Sequence, residues 1–245
     1  MWSMVRGKFI AIEGPDGSGK TLQQELLVDK LSQNGYKVAK VDFPQYETSL
    51  FGEEVGKILS NKYGPLDKIH PKILSVVYAA DRWKASSYIR DCINNGEVVV
   101  ANRYTLSNMA HQSARLPQEE REEFLKFLER LEYHNDGFGI PRPDLYIHLS
   151  VPTQVSQELI LKKAQRNYLE GGKKDQLEAD VEHQIEAARM YESLAERYDE
   201  ILSINCCDDF GNLYHPNIIH EAIFTKTREL LDSENIEGKI RGERE

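Results

Sequence analysis

An eight-residue run near the N-terminus constrains this 245-residue chain more than any other feature; its residues are Gly14, Pro15, Asp16, Gly17, Ser18, Gly19, Lys20 and Thr21. The run fits the pattern G-x-x-x-x-G-K-[S/T] at every fixed position. It follows an apolar stretch, residues 8–13, that is typical of a buried strand, and it precedes leucines at helical spacing. Glycines let such a turn wrap around phosphate oxygens, and the following helix presents its positive N-terminus to them. The run therefore predicts a nucleoside triphosphate site, in which Lys20 reaches the β- and γ-phosphates and the Thr21 hydroxyl ligates Mg²⁺.

Short apolar runs alternate with helical spacing along the rest of the chain. Strands are predicted at residues 8–13, 37–42, 97–101, 145–151 and 200–205. Because strands that alternate with helices form βαβ units, the chain is expected to be an α/β protein. The predicted architecture is a three-layer P-loop NTPase sandwich, with a parallel sheet of about five strands between helices. Residues 1–232 are expected to form one domain, and the charged residues 233–245 a disordered tail.

Composition excludes several classes of protein. The 31 basic and 40 acidic residues give a net charge of −9, so the phosphate backbone of a nucleic acid is not an expected partner. No apolar run approaches the roughly 20 residues of a membrane span, and Met1–Arg6 lacks the apolar core of a signal peptide. Cys92, Cys206 and Cys207 do not have the spacing of metal ligands. A cytoplasmic location without membrane contact is therefore expected.

The phosphate run alone suits a GTPase, an ATP-driven motor or a small-molecule kinase equally. Further motifs narrow the choice, in this order along the chain: FIAIEGPDGSGKT at 9–21, DFPQY at 42–46, YAADR at 78–82, ANRYTLSNMAHQ at 101–112 and a basic segment at 162–174. Together they resemble the thymidylate kinases, a family of nucleoside-monophosphate kinases, from about residue 8 to about residue 203. The resemblance implies that residues 14–21 bind ATP.

An arginine after the third predicted strand is central to what the resemblance implies. In the family such an arginine contacts the acceptor phosphate and the transferring group, and Arg103 matches it. A fixed guanidinium there would lower the repulsion between two anions through paired hydrogen bonds. Taken alone, Arg103 would also suit a surface salt bridge. Asp16 is expected to help in catalysis by orienting Arg103, binding the sugar hydroxyl or holding the acceptor phosphate, and the residues leave these roles open.

Two residues on the third predicted helix are candidates for binding the base. Tyr78 and Arg82 are four residues apart and therefore share one helix face. The resemblance implies that Tyr78 stacks on a pyrimidine ring and that Arg82 bonds to the base edge. An aromatic side chain and a guanidinium suit a planar polar ring. Tyr78 by itself would also suit packing in the core.

The remaining acceptor contacts are expected from two other motifs. Asn108 can both donate and accept hydrogen bonds, as the edge of thymine requires, and the base is its favoured ligand. Ser107 suits substrate binding and helix capping equally, and capping is also the alternative for Asn108. Phe43 and Tyr46 are expected to line the acceptor site, with Tyr46 near the sugar.

Three positions depart from the pattern of the family. Gln45, also expected at the substrate, stands where many members have an arginine that bonds the acceptor phosphate. Asn102 stands where many have an aspartate, which would weaken a metal site if that acid orders Mg²⁺ through water. His111, a further candidate for substrate binding, stands where some branches have a tyrosine. We expect these changes to affect affinity and nucleotide preference more than the type of reaction.

A basic segment, residues 162–178, is predicted to form a lid. A kinase must exclude water from the activated phosphate, and the phosphate run contains no arginine, so further cations must come from elsewhere. Lys162 and Lys163 are expected to bind ATP, and Arg166 is the favoured catalytic cation because a guanidinium grips two oxygens. Asp175 is expected to return to the acceptor side. The alternative is a solvated surface turn, which Gly171-Gly172 would also suit.

The expected activity is phosphorylation of dTMP to dTDP, with ATP and Mg²⁺ as cofactors. The alternatives are a kinase for another nucleoside monophosphate or a deoxynucleoside, and a non-catalytic P-loop nucleotide switch. The resemblance also implies a homodimer built through helices on one side of the sheet. Val76, Val77 and Ala80 form an apolar face that would suit either that contact or an ordinary core.

Overall fold

The computed structural model describes residues 6–152, 154–156, 158–159, 177 and 180–242. All five predicted strands are confirmed to within one residue at each end: β1 (Phe9–Glu13), β2 (Val38–Asp42), β3 (Val98–Asn102), β4 (Leu145–Ser150) and β5 (Ile201–Asn205). They form one parallel sheet in the order β2-β3-β1-β4-β5. The helices that lie wholly within the described residues include α1 (Lys20–Gln33), α2 (Leu50–Leu59), α3 (Pro71–Asn94), α4 (Thr105–Ser113), α5 (Gln118–Tyr133), α6 (Val181–Arg197) and α7 (Pro216–Gly242).

The sheet lies between two apolar layers because successive side chains of a strand point to opposite faces. On β1, Phe9 and Ala11 pack in a core with α3, α4, α5 and α6. Ile10 and Ile12 pack on the other face, in a core with α1 and α7. Every residue of β1 is buried, as expected for a central parallel strand covered on both sides. The three-layer α/β sandwich predicted from the sequence is therefore confirmed.

The last helix departs from the expected disordered tail. Its backbone is helical through Gly242, ten residues beyond the predicted boundary at residue 232. Extending an existing helix costs far less free energy than starting one, and charged residues such as Glu, Lys and Arg are good helix formers. A charged composition therefore did not mark the end of the helix. Among the described residues, no helix combines the length and the apolar character needed to cross a membrane.

The carboxyl edge of the sheet brings three chain segments together. The phosphate run follows β1, the cis Phe43–Pro44 peptide follows β2, and Arg103 follows β3. Hydrogen bonds join these ends, because Phe43 N–H donates to Asn102 O at 3.1 Å and Arg103 N–H donates to Ile12 O at 2.9 Å. Open parallel sheets bind ligands outside the carboxyl ends of their strands. The motifs of the sequence thus converge on the edge where a ligand is expected.

Candidate active site

The phosphate loop, residues 14–21, contains two positions whose backbone conformation favours glycine. Gly14 has φ of +143°, and a Cβ there would lie 2.9 Å from Leu149 O. Gly19 has φ of +89° and directly precedes α1. The first turn of α1 has the sequence Lys-Thr-Leu-Gln, without an acidic residue to neutralise its positive end. The loop therefore leads into a helix N-terminus that is suited to an anion.

Lys20 is folded back across this loop. Its ammonium donates to Gly14 O at 2.9 Å and to Pro15 O at 2.7 Å, and the residue is buried. The buried Ser18 Oγ has no hydrogen-bond partner in the described part of the chain. A buried hydroxyl without a partner is costly unless a ligand or water satisfies it. The loop thus holds a positive charge and an unused hydroxyl at the point predicted for the phosphates.

A cavity of about 230 Å³ opens beside the phosphate loop. Predicted site residues on its wall are Asp16, Phe43, Tyr46, Tyr78, Arg82, Arg103, Ser107, Asn108 and His111. Gln45 is not on this wall; its backbone N–H instead donates to the Asp81 carboxylate at 2.9 Å. The predicted lid residues Lys162, Lys163, Arg166 and Asp175 lie outside the described residues. Most of the predicted acceptor residues are therefore neighbours in space, although they come from four separate motifs.

Arg103 joins the cavity to the phosphate loop. It has φ of +64°, a left-handed conformation that costs a non-glycine residue about 1 kcal/mol or more. Its guanidinium forms an ion pair with Asp16 and donates to Ser107 Oγ at 3.2 Å. Burial lowers the pKa of Arg103, but Asp16, Tyr191, Glu13 and Tyr46 together raise it by more, so the net shift is upward and the guanidinium stays positive. With 19% of its side chain exposed, Arg103 lies on the cavity wall, and its ion pair with Asp16 is mostly buried rather than on the open surface.

Glu13 is a site residue that the sequence analysis missed. This fully buried carboxylate accepts hydrogen bonds from Tyr104 N at 2.6 Å and from the Ser107 hydroxyl at 2.6 Å. Burial raises the pKa of Glu13, although Ser107 and the charge of Arg103 act in the opposite direction. Glu13 therefore anchors the turn on which Arg103 stands. The available signal was an acid at the end of an otherwise apolar strand, next to a glycine-rich loop.

The base-binding end of the cavity is organised by Glu132, which the sequence analysis also missed. Glu132 pairs with the Arg82 guanidinium and accepts a hydrogen bond from Asn108 Nδ2 at 2.9 Å. Arg82 and Glu132 are both almost completely buried, and each partner neutralises the other. Asn108 Oδ1 is buried and has no partner within the described residues. Asn108 thus keeps one acceptor atom without a partner, while the arginine beside it has a defined orientation.

The structure bears on the capping alternative for Ser107 and Asn108 and on the packing alternative for Tyr78. Ser107 and Asn108 lie inside α4, whose N-cap is Tyr104, so the capping alternative is wrong for both. Tyr78 packs against the apolar cluster of α2 and α3, which confirms the packing alternative; it also lines the cavity, and its role at the base stays a prediction. Among the three residues proposed for an apolar surface, Ala80 is buried and Val76 is 38% exposed.

A pair of neutral histidines lies behind the cavity. His111 Nδ1 is 3.2 Å from His183 Nε2, and His111 lines the wall next to Arg103. Burial, the charge of Arg103 and His183 hold the pKa of His111 well below its usual value. Burial lowers the pKa of His183 to about 4. Both rings are therefore uncharged at neutral pH and add no further positive charge next to Arg103.

Because the phosphate loop and the cavity meet at one arginine, the chain has the architecture of a P-loop kinase for a small phosphate acceptor. Comparison narrows this class: a family model described as thymidylate kinase matches residues 12–207, and the chain belongs to that family. The resemblance inferred from the motifs is thereby confirmed.

Individual relatives agree with this assignment. A thymidylate kinase of Mycobacterium tuberculosis strain H37Rv is 31% identical over 186 residues, which are 76% of this chain and 85% of the relative. A probable thymidylate kinase of Pyrococcus horikoshii is 31% identical over 221 residues, with 88% and 95% covered. A solved thymidylate kinase structure from Candida albicans has a TM-score of 0.66 at 20% identity and covers 94% of this chain and 93% of its own. At that identity the structure supports the fold alone.

Proposed function

We propose that this protein transfers the γ-phosphoryl group of ATP to dTMP, with ADP and dTDP as products. The observation that carries the proposal is the position of Arg103, which pairs with Asp16 of the phosphate loop and lines the cavity. A donor on the loop and an acceptor in the cavity would meet at this guanidinium. A phosphate oxygen of dTMP attacks the γ-phosphorus. At the same time the bond between the γ-phosphorus and the oxygen that bridges it to the β-phosphorus breaks, and ADP leaves with that oxygen.

Positive charge in fixed positions accounts for the rate in this proposal. Phosphoryl transfer needs alignment and charge stabilisation and no covalent enzyme intermediate. Lys20 would leave the loop carbonyls Gly14 O and Pro15 O for the β- and γ-phosphates. Arg103 would neutralise charge on the transferring group and the acceptor phosphate. Asp16 and Ser107 keep the guanidinium of Arg103 in place until both anions are bound.

Recognition of thymine is assigned to three residues on the cavity wall. Asn108 Oδ1 lacks a partner in the described structure, so it can accept a hydrogen bond that the ring N3–H of thymine donates. Arg82 uses Nε and Nη2 for Glu132, and its Nη1 is suited to a base carbonyl. Tyr78 supplies an aromatic face for the ring. Phe43, Tyr46 and His111 complete the surroundings of the nucleotide on the same wall.

Mg²⁺ is proposed as the metal that accompanies ATP. The donor set fits a hard cation, because the Thr21 hydroxyl lies next to Asn102, whose buried Oδ1 has no partner among the described residues. The described residues contain no cluster of three or more His, Cys, Asp or Glu side chains suited to a metal. Thr21 would therefore hold the ion together with phosphate oxygens and water. Bound there, Mg²⁺ would neutralise negative charge on the β- and γ-phosphates.

The lid assignments remain part of the proposal. Lys162, Lys163 and Arg166 would bring cations to ATP, and Asp175 would face the acceptor. The proposal is supported by the composition of residues 162–178 and by the absence of arginine from the phosphate-loop sequence.

A homodimer in the cytoplasm, without nucleic-acid or membrane partners, is also proposed. Support for the dimer comes from α3, on which Ile73 is 63% exposed and Val76 38% exposed. These two side chains are three residues apart and share one helix face. Sedimentation velocity of the wild-type protein and of the variant Ile73→Asp with Val76→Asp tests the dimer. We expect a dimeric wild type and a monomeric variant; a wild type that sediments as a monomer contradicts the proposal.

An acceptor panel tests the activity. ADP release is measured with ATP, Mg²⁺ and each of dTMP, dUMP, UMP, CMP and thymidine. We expect the largest kcat/KM for dTMP. A better acceptor in the panel would refute the thymine assignment, whereas slow ATP hydrolysis without any acceptor would favour a nucleotide switch.

A further inference from the structure

A carboxylate that the proposed mechanism has not used stands beside the Thr21 hydroxyl. Asn102 Nδ2 donates to Thr21 Oγ1 at 3.3 Å and to Asp42 Oδ1 at 3.1 Å. One amide nitrogen therefore separates the hydroxyl on α1 from the carboxylate at the end of β2. Asp42 and Asn102 are also register partners on neighbouring strands. The three side chains form a row across the carboxyl edge of the sheet.

A buried glutamine holds this row in place. Gln24 is fully buried on α1, one turn after Thr21. Its Nε2 donates to Val41 O at 2.8 Å and to Val100 O at 3.0 Å. These carbonyls belong to β2 and β3, close to Asp42 and Asn102. The helix that carries Thr21 is thus tied to both strands, and the distance from Asp42 to the phosphate loop is set by buried hydrogen bonds.

No cation of the described residues balances the charge of Asp42. Across the described residues it takes part in no salt bridge, and the lysine two positions earlier, Lys40, pairs with Glu25 instead. A carboxylate close to a bound triphosphate would repel it unless a cation lay between them. Asn102 cannot supply a negative charge, but its buried Oδ1 has no partner in the described structure. The row therefore offers one possible ligand, the Thr21 hydroxyl, and behind it a carboxylate that can accept hydrogen bonds from water, with the Asn102 amide nitrogen between them.

We propose that Asp42 is the carboxylate that orders the hydration water of the nucleotide-bound Mg²⁺, with Asn102 holding it next to Thr21. The proposal rests on the proposed function, because the metal enters with ATP. Mg²⁺ keeps several of its waters in proteins, and carboxylates accept hydrogen bonds from such waters. Asp42 is a positioning residue in this scheme, since it acts through water on the ion.

The test measures metal binding directly. Mn²⁺ replaces Mg²⁺ as the probe, and its affinity for the enzyme–ADP complex is titrated by electron paramagnetic resonance. The variant Asp42→Asn keeps an oxygen that accepts from Asn102 and removes only the charge. We expect its Mn²⁺ affinity to fall about 10-fold. Nucleotide affinity in EDTA should remain equal to that of the wild type or become tighter, because a repulsive charge has been removed.

Two further variants separate charge from structure. Asp29→Asn removes one exposed negative charge from the same helix as Thr21 and should leave Mn²⁺ affinity unchanged. The double variant Asp42→Asn with Asn102→Asp moves the carboxylate to the neighbouring strand and should restore affinity to within about 3-fold of the wild type, since outer-shell effects follow the charge near the ion.

The outcomes decide between the two proposals. Unchanged Mn²⁺ affinity in Asp42→Asn, an equal loss in Asp29→Asn, or a folded double variant without recovery would each overturn the role of Asp42. Wild-type protein that binds no ATP or phosphorylates no nucleotide would instead refute the proposed function. If the wild type phosphorylates dTMP and Asp42→Asn binds Mn²⁺ with unchanged affinity, only the inference about Asp42 is refuted.

Discussion

The phosphate loop and the acceptor cavity are built in opposite ways. The loop is one run of eight residues, and its glycines and following helix are adjacent in the chain. The cavity takes its wall from the phosphate loop, from the segments after β2 and β3, and from α2, α3 and α4, which only tertiary packing brings together. Local backbone geometry therefore suffices for the loop. The cavity depends on buried hydrogen bonds between distant residues, such as those of Glu13 and Glu132. Substitutions in the loop should therefore change kcat and ATP binding, whereas substitutions in the cavity should change dTMP binding.

The largest expected effect comes from Arg103→Ala, because this residue serves both regions. Removing a charge that stabilises a transferring phosphoryl group costs about 10³-fold or more in kcat. Steady-state assays with ATP and dTMP measure it, and circular dichroism establishes that the variant is folded. Turnover equal to that of the wild type would remove Arg103 from the mechanism.

A smaller but still large effect is expected for Lys20→Ala, which acts on the loop alone. Loss of its charge should lower kcat about 10²-fold or more and weaken ATP binding. Affinity for dTMP, measured calorimetrically without ATP, should stay unchanged. A matched loss of dTMP affinity would contradict the separation between loop and cavity.

Asn108→Ala should affect the cavity alone. Its buried Oδ1 is assigned to the ring N3–H of thymine, and one lost hydrogen bond of this kind costs about 1.4 kcal/mol, or roughly 10-fold in KM for dTMP. KM for ATP should not change. Because Asn108 also bonds Glu132, thermal melting of the variant separates a binding effect from a loss of folding. An increase in KM for ATP of the same size would argue against the assignment.

The smallest expected effect is a pH dependence of stability behind the cavity. The folded-state pKa of His183 is lowered to about 4, and that of His111 lies well below 6.5. The unfolded chain therefore binds more protons between about pH 4 and pH 6.5, and stability should fall as pH decreases through that window and stay constant above it. His183→Gln should reduce this slope in melting curves at pH 5, 6 and 7. An unchanged slope would show that other groups, such as His148, carry the dependence.

Particular residues show how far sequence reasoning reached into the site. Tyr78, Ser107 and Asn108 were assigned to the acceptor, and they do share one wall. The partner of Arg82 was not foreseeable, because Glu132 lies 50 residues away on α5 and belongs to no motif. The contact of His111 with His183 spans 72 residues. Gln45 belongs to the correct motif, yet it is placed off the cavity wall by the local path of the chain after Pro44.

The sequence by itself determined the strands, their alternation with helices, the phosphate loop and the family. These features depend on local periodicity and on glycine geometry, which act between residues close in the chain. Tertiary structure alone decided which buried charges neutralise one another and where Asp42 stands relative to Thr21. A buried polar group must find a partner, and that partner is selected by which helix or strand packs against it, whatever its distance along the chain.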